Sequence, residues 1–271
     1  AANATTDYLK SIANKPEIEQ VDNILLLSLL GSLTSETLYK IVIGEKYPSG
    51  KLSSTWDIYD HYPTKDSFGD INETYYHEGI FVGYRYFATK DIKPLFPFGF
   101  GLGYTNFEIR FIGVSNVKDK ITVNTVIKNI GNFKGKEVAQ VYISKPSYLE
   151  FYNSKIELVG YVKSKELLPG EEETVAIKFK LSEFATFEPS RDINLLLKGV
   201  YTISLGNSSY DTRIVGSIEL KDEVVLRKVR NIEEPAGVVS SIHGNVLANL
   251  PQKNNILLTQ NDFVYEERRF D

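Results

Sequence analysis

The stretch that decides the fold is Gly199-Val-Tyr-Thr-Ile-Ser-Leu-Gly206, which is followed by the turn-forming residues Asn207-Ser-Ser209. Large side chains alternate along it with smaller or polar ones. Because successive side chains of a β-strand point to opposite faces of a sheet, this period of two predicts a strand. Four other stretches show similar alternation: Ile121–Ile127, Val138–Ile143, Val175–Phe179 and Ile214–Leu220.

Turn signals separate these stretches. Asn129-Ile-Gly-Asn132 and Leu168-Pro-Gly-Glu171 contain Gly, Pro and Asn, which favour tight turns. About seven short strands with such turns between them predict a β-sandwich of the immunoglobulin or fibronectin type III kind over residues 106–220. The sandwich would form the central part of a mainly β chain.

The preceding residues, 1–105, show a different pattern. Leu25–Leu30 is a short apolar run, which predicts a buried strand of a parallel sheet. Residues 34–43 predict a helix whose N-cap is Thr34 or Ser35. This single βα unit adds an α/β portion to the predicted fold class.

The last residues, 221–271, follow the predicted sandwich. Val224–Val229 predicts an extension of the last strand, because its residues are mostly apolar and β-branched. The charged end at Glu266–Asp271 and the loop-forming residues before it predict a tail or linker.

Composition excludes several classes of protein. Hydrophobic residues make up 42% and charged residues 24% of the 271 positions, which is typical of a globular protein. A net charge of −4 argues against binding to nucleic acid, and no apolar run is long enough for a membrane helix. With no Cys and only three His in no zinc-binding spacing, we expect neither a metal nor a cofactor.

Aromatic and acidic residues are the candidates for a binding site. Ten of the thirty residues 75–104 are aromatic, which suits either stacking on sugar rings or the core of a domain interface. Glu78 lies within this segment, and glycoside hydrolysis requires carboxyl groups. Its structural alternative is an ion pair with Arg85. The other acidic candidates are Asp57, Asp60, Asp66 and Asp70.

Gly99-Phe-Gly-Leu-Gly103 is superficially similar to a phosphate-binding loop. A strand pattern follows it where a dinucleotide-binding loop requires a helix. The better interpretation is close packing of the backbone beside aromatic rings, which glycine permits because it has no Cβ atom.

Several longer motifs, taken in order, resemble glycoside hydrolase family 3, whose members are β-glucosidase-type enzymes. The resemblance covers about residues 20–220 and extends through the fibronectin type III-like domain of that family. Six segments carry it: Tyr47–Leu52, Tyr76–Phe87, Pro94–Tyr104, Gly135–Tyr142, Leu167–Gly170 and Gly199–Ser209.

The resemblance implies a domain order. Residues 1–105 would be the last part of an α/β sandwich domain, residues 106–220 the fibronectin type III-like domain, and residues 221–271 a tail or linker. The family's Asp nucleophile lies on a barrel domain that is not found here, and no segment matches the acid/base Glu. We therefore expect a processed or partial chain that requires a missing barrel domain or a second chain as partner.

The function implied is hydrolysis of terminal β-linked sugars by a retaining enzyme, with this chain supplying a wall of the pocket. The residues expected at the pocket edge are Tyr75, Tyr76, His77 and Glu78. The alternative is a non-catalytic carbohydrate-binding or assembly chain. It is suggested by Leu30–Glu36, which replaces the turn usual in the family. The compartment, cytoplasmic or secreted, stays open.

Overall fold

A computed structural model describes residues 24–27, 31–65, 69, 71–72, 76–148, 153–229 and 250–265. The helices in these ranges are α1 (Thr34–Val42) and α2 (Tyr84–Thr89). The strands are β1 (Phe107–Val117), β2 (Lys120–Asn129), β3 (Val138–Ser144), β4 (Glu157–Lys163), β5 (Glu172–Lys180), β6 (Thr186–Glu188), β7 (Ile193–Leu196), β8 (Gly199–Gly206), β9 (Thr212–Leu220), β10 (Val224–Lys228) and β11 (Asn255–Leu258). No helix in this part of the chain is long and apolar enough to cross a membrane.

The strands form three sheets. The first has the order β1-β2-β5, the second β11-β9-β8-β3-β4, and the third β10-β7-β6. All pairs are antiparallel except β11 with β9, which is parallel. The mainly β fold class predicted from the sequence is confirmed.

The core lies between the first and second sheets. Alternate residues of β2, such as Ile121 and Val123, are fully buried and pack in one cluster with Val141 of β3 and Ile203 of β8. Burial of such side chains contributes roughly 1.5–3 kcal/mol each, so this cluster is the main source of stability. The alternation read from the sequence therefore indicates which face of each strand is buried.

Asn129 fixes the turn that follows β2. Its side-chain nitrogen donates to the carbonyl oxygens of Phe133 and Leu167, at 2.7 and 2.9 Å. Its side-chain oxygen accepts from the Thr105 hydroxyl at 2.8 Å and from the Gly131 amide at 3.1 Å. A fully buried amide with four partners holds three separate loops at one point.

The chain around α1 departs from the prediction in two ways. Ile24–Leu27, the described residues around the start of the predicted strand, form no strand, and Leu25 and Leu26 are exposed. No described strand lies beside them to complete a sheet. Helix α1 is confirmed, but its N-cap is Leu33, because the Thr34 hydroxyl donates to the Gly31 carbonyl instead of accepting from a helix amide.

The residues after β9 contribute two strands. The chain bends at residues 221–223, so Val224–Lys228 forms a separate strand beside β7 and does not extend β9. Farther along, β11 adds to the edge of β9 and places Ile256 and Leu258 in the main core. Parts of the predicted tail therefore pack into the sandwich. The predicted charged end, residues 266–271, lies outside the described residues.

Candidate functional site

An apolar cleft of about 480 Å³ lies between α1 and the loop Tyr47–Leu52. Its other wall includes Trp56, Phe96 and Phe100. Backbone hydrogen bonds set this wall: Trp56 and Phe96 exchange two of them, at 2.8 and 3.0 Å, and Leu52 donates to Phe100 at 2.8 Å. Among the described residues, those that line the cleft are mostly apolar and include no carboxylate.

The glycines beside the cleft permit close packing. A Cβ atom at Gly103 would lie 2.0 Å from the Tyr47 hydroxyl, and one at Gly101 would lie 2.4 Å from the Gly50 carbonyl oxygen. Strand β1, not a helix, follows these glycines. The prediction of close backbone packing is confirmed by these distances.

Two charged contacts tie the loop to the sandwich. Lys51 lies 2.7 Å from Glu137 at the start of β3, and Lys163 of β4 donates to the Ser49 carbonyl at 2.8 Å. Burial, together with the charges of Lys136 and Lys51, lowers the pKa of Lys163. Burial and the nearby charge of Glu137 raise the pKa of Tyr47 to about 12.

Two aromatic residues of the 76–104 segment, Tyr84 and Phe98, form a junction with the sandwich. Tyr84 packs on Phe98 with ring centroids 5.0 Å apart and on Tyr142 of β3 at 5.9 Å. Its hydroxyl accepts a hydrogen bond from the Leu158 amide of β4 at 2.9 Å. This arrangement favours the domain-interface interpretation for the segment as a whole.

Three of the residues predicted at the pocket edge, Tyr76, His77 and Glu78, lie on a tight turn. The Gly79 amide donates to the Tyr76 carbonyl at 3.1 Å, and the Phe81 amide donates to the Glu78 carbonyl at 2.9 Å. Tyr76 is 68% exposed, His77 is half-buried and Glu78 is buried. Among the described residues, no partner bonds to Oε2 of Glu78. Tyr75 lies outside the described residues.

The expected structural partner of Glu78 is engaged elsewhere. Arg85 bonds to Glu157 of β4 at 2.8 Å, and Lys145 of β3 approaches the same carboxylate at 2.9 Å. The proposed Glu78–Arg85 ion pair is therefore wrong. Helix α2 turns the guanidinium toward the sandwich, where Glu157 lies between two cations.

Of the other acidic candidates, the structure describes Asp57 and Asp60. Asp57 is buried, with one oxygen 2.7 Å from Nδ1 of His61 and the other accepting from the Ile58 amide. Asp60 is exposed, whereas Asp66 and Asp70 lie outside the described residues. In the part of the chain that the structure describes, no cluster of three His, Asp or Glu side chains is placed to hold a metal ion.

Comparisons with known proteins identify the relatives of this chain. The model of the fibronectin type III-like domain matches residues 137–209. The thermostable β-glucosidase B of Acetivibrio thermocellus is 37% identical over 219 residues, which are 79% of this chain and 29% of that protein. β-Glucosidase A of Butyrivibrio fibrisolvens is 32% identical over 238 residues, which again cover 79% of this chain and 29% of that protein. The chain is homologous to part of the glycoside hydrolase family 3 β-glucosidases.

Solved structures agree with this relationship. β-Glucosidase 3B of Thermotoga neapolitana, in complex with α-D-glucose, superposes with a TM-score of 0.67 and 31% identity, covering 72% of this chain and 28% of that one. A β-glucosidase of Paenibacillus barengoltzii superposes with a TM-score of 0.68 and 31% sequence identity. The match covers 74% of this chain and 23% of that one. The chain thus spans less than a third of the length of these family 3 relatives.

The apolar cleft cannot be predicted from local sequence patterns. Its wall depends on the pairing of Trp56 with Phe96, which are 40 positions apart, and no local period of apolar residues indicates such a pairing.

Proposed function

We propose that this chain is the non-barrel part of a family 3 retaining β-glycosidase that hydrolyses terminal β-linked sugars. The catalytic nucleophile would lie on a barrel domain outside this chain. Residues 1–105 would be the end of the α/β sandwich domain and residues 106–220 the fibronectin type III-like domain. Residues 221–271 would be an arm that is partly packed on the latter domain.

The observation that carries the proposal is the apolar cleft and its exposed rim. Leu102 is 78% exposed, Ile24 is 57% exposed and Leu26 is 50% exposed, and all three line the cleft. Contiguous exposed apolar surface of this kind marks an interface. A covering domain is consistent with a chain that spans only 29% of its curated relatives.

The division of labour follows from the chemistry. A retaining glycosidase needs two carboxyl groups about 5–5.5 Å apart, one as nucleophile and one as acid and then base. Asp57 bonds to His61 and to the Ile58 amide, which fits a structural role for this carboxylate. This chain would instead shape the pocket edge through Tyr75, Tyr76, His77 and Glu78, of which Tyr76 has an exposed ring.

A chimera tests the proposal. The matched segment of Acetivibrio thermocellus β-glucosidase B is replaced by the corresponding residues of this chain, and hydrolysis of p-nitrophenyl β-D-glucoside is measured. We expect the chimera to be active, because the cleft then meets the rest of the α/β domain. The control is the same relative with the matched segment deleted, which we expect to be inactive.

The outcomes separate the two functional candidates. Activity restored by this chain supports the glycosidase assignment. A chimera that is folded by circular dichroism and gel filtration, but does not hydrolyse the glucoside, contradicts that assignment. The same result favours the non-catalytic carbohydrate-binding or assembly chain.

A further inference from the structure

A second cavity, of about 480 Å³, lies where the end of β5, strands β7 and β10 and the β1–β2 turn come together. Its polar lining residues are Asp119, Lys180, Ser182, Glu183, Asn194 and Arg227. A volume of this size is within the range of small-ligand sites. None of these residues lines the apolar cleft or belongs to the predicted pocket edge, so this cavity is separate from the site described above.

Arg227 is fixed at this cavity by its neighbour across the sheet. Arg227 of β10 pairs with Asn194 of β7, and the register shifts between Val225 and Arg227, which marks a β-bulge. Such bulges redirect side chains beside sites. With its amide oxygen toward the guanidinium, Asn194 accepts from Nε of Arg227 at 2.8 Å and from Nη2 at 2.9 Å. An uncharged group therefore holds one edge of the guanidinium in place.

The charge of Arg227 has no counter-ion in the described part of the chain. There, no carboxylate lies within ion-pair distance of Arg227 or of Lys180. Arg227 is partly buried, and its Nη1 nitrogen has no hydrogen-bond partner among the described residues. A carboxylate can accept two parallel hydrogen bonds from such an open guanidinium edge, formed by Nη1 and Nη2. The arrangement therefore favours a ligand with a carboxylate.

Two carboxylates of the same wall restrict the rest of the ligand. The Ser182 hydroxyl donates to Asp119 at 2.5 Å, and Glu183, the next residue, is exposed. The charges of Asp119, Glu183, Lys180 and Arg227 sum to zero, so a multiply charged anion gains little from the cavity as a whole. Ionised carboxylates accept hydrogen bonds only, which suits ligand hydroxyl groups. An ammonium group beside the ligand's carboxylate would be repelled by Arg227, whereas an uncharged hydroxyl group would not.

We propose that this cavity binds a small polyhydroxylated monocarboxylate, the chemistry of a sugar acid. Arg227 holds the carboxylate through Nη1 and Nη2, and Lys180 adds a second positive charge to the same wall. Asp119 and Glu183 accept hydrogen bonds from the hydroxyl groups. The site consists of residues of the sandwich and of β10, and it needs no barrel domain and no hydrolysis. It therefore goes beyond the proposed function.

Isothermal titration calorimetry of the complete chain with D-gluconate, at constant ionic strength, tests the proposal. Two matched ligands separate the two kinds of group. D-Glucose has the hydroxyl groups without the carboxylate, and hexanoate has the carboxylate without the hydroxyl groups. We expect saturable binding of gluconate and at least about tenfold weaker binding of each of the other two, because each lacks one set of hydrogen bonds.

Two variants assign the heat of binding to this cavity. Arg227→Gln should weaken gluconate binding at least about tenfold, because a charge-assisted bidentate contact is lost. Lys180→Gln should weaken it by about threefold, because an exposed lysine acts through a screened charge. The matched controls are Arg110→Gln, at an exposed arginine of β1, and Lys178→Gln, at another exposed lysine of β5. Both should bind gluconate like the parent.

Four results would overturn the proposal. They are the absence of saturable gluconate binding, equal affinity for glucose, equal affinity for hexanoate, and cavity variants that bind gluconate like the controls. Circular dichroism checks that each variant is folded. Lys180 is exposed and forms no ion pair with a described residue, so Lys180→Gln decides the question if Arg227→Gln does not fold. None of these readouts involves hydrolysis, so failure here leaves the chimera experiment independent.

Discussion

Lys51 and Glu137 form an ion pair with a nitrogen–oxygen distance of 2.7 Å and side chains only 14% and 10% exposed. Lys51 also donates to the Gly101 carbonyl at 2.8 Å, and Glu137 accepts from the Val138 amide at 2.6 Å. The pair therefore connects the cleft loop, the glycine-rich segment and the first residues of β3. Two largely desolvated charges depend on each other at this point.

We predict that Lys51→Met destabilises the chain by about 3 kcal/mol, because Glu137 would remain buried without its cation. Urea unfolding monitored by circular dichroism measures the loss. The control is Lys165→Met, which removes one partner of the exposed Lys165–Glu171 pair and should cost much less, because both side chains are solvated. Equal losses in the two variants would show that the burial of the first pair has no energetic consequence.

The raised pKa of Tyr47 implies that the stability of the chain falls at alkaline pH. Its pKa is raised from 10.0 to about 12 in the folded chain, chiefly by burial and also by the charge of Glu137. A raised folded pKa gives a contribution that is complete below about pH 10 and is lost as the pH rises toward 12.

We expect the free energy of unfolding to fall between pH 9.5 and about pH 11.5. In the Tyr47→Phe variant, the free energy of unfolding should fall less steeply over the same range. Burial also raises the pKa values of Tyr142 and Tyr201, so a residual slope should persist in the variant. The measurement is a series of urea titrations at fixed pH. Identical slopes for parent and variant would contradict a raised pKa of the partly buried phenol at position 47.

Strand β11 offers an internal comparison between adjacent residues. Leu258 is 1% exposed and lies in the main core, whereas Leu257 is 50% exposed on the same strand. We expect Leu258→Ala to cost about 2–5 kcal/mol, and Leu257→Ala to cost less than about 1 kcal/mol. Thermal unfolding of both variants tests whether this part of residues 221–271 is integral to the sandwich. Similar small losses would indicate a strand that is only loosely attached.

Substitution of Glu78 can show whether this residue has a binding role or a structural one. In the complete chain, Glu78→Gln removes a buried charge whose Oε2 has no described partner, so stability should be unchanged or higher by about 1 kcal/mol. In the chimera, the same change should raise KM for the glucoside with kcat nearly unchanged, as expected for a pocket-edge contact.

The control for this prediction is Glu108→Gln, an exposed carboxylate of β1, which should alter neither stability nor KM. A loss of more than about 1 kcal/mol in Glu78→Gln would indicate that the carboxylate is a structural hydrogen-bonding group. A fall in kcat without a change in KM would instead contradict a role limited to ground-state binding.

The sequence predicted the features that depend on local period and local backbone geometry. Alternation predicted β2 and β8, and residues 34–43 with their N-cap candidates predicted α1. It did not predict the start of α1 correctly, because Thr34 has two possible local partners and bonds to the Gly31 carbonyl. The predicted strand at Leu25–Leu30 failed within its described residues, since a sheet also requires a neighbouring strand.

The sequence by itself determined that this chain is mainly β and which strand faces are buried, because a period of two is a property of neighbouring residues. Only the tertiary structure decided that Arg85 pairs with Glu157, 72 positions away, and not with the nearby Glu78. It also decided that β11 lies parallel to β9 and that Trp56 pairs with Phe96, 40 positions away. Such relationships arise when distant segments pack together, and no local spacing in the sequence encodes them.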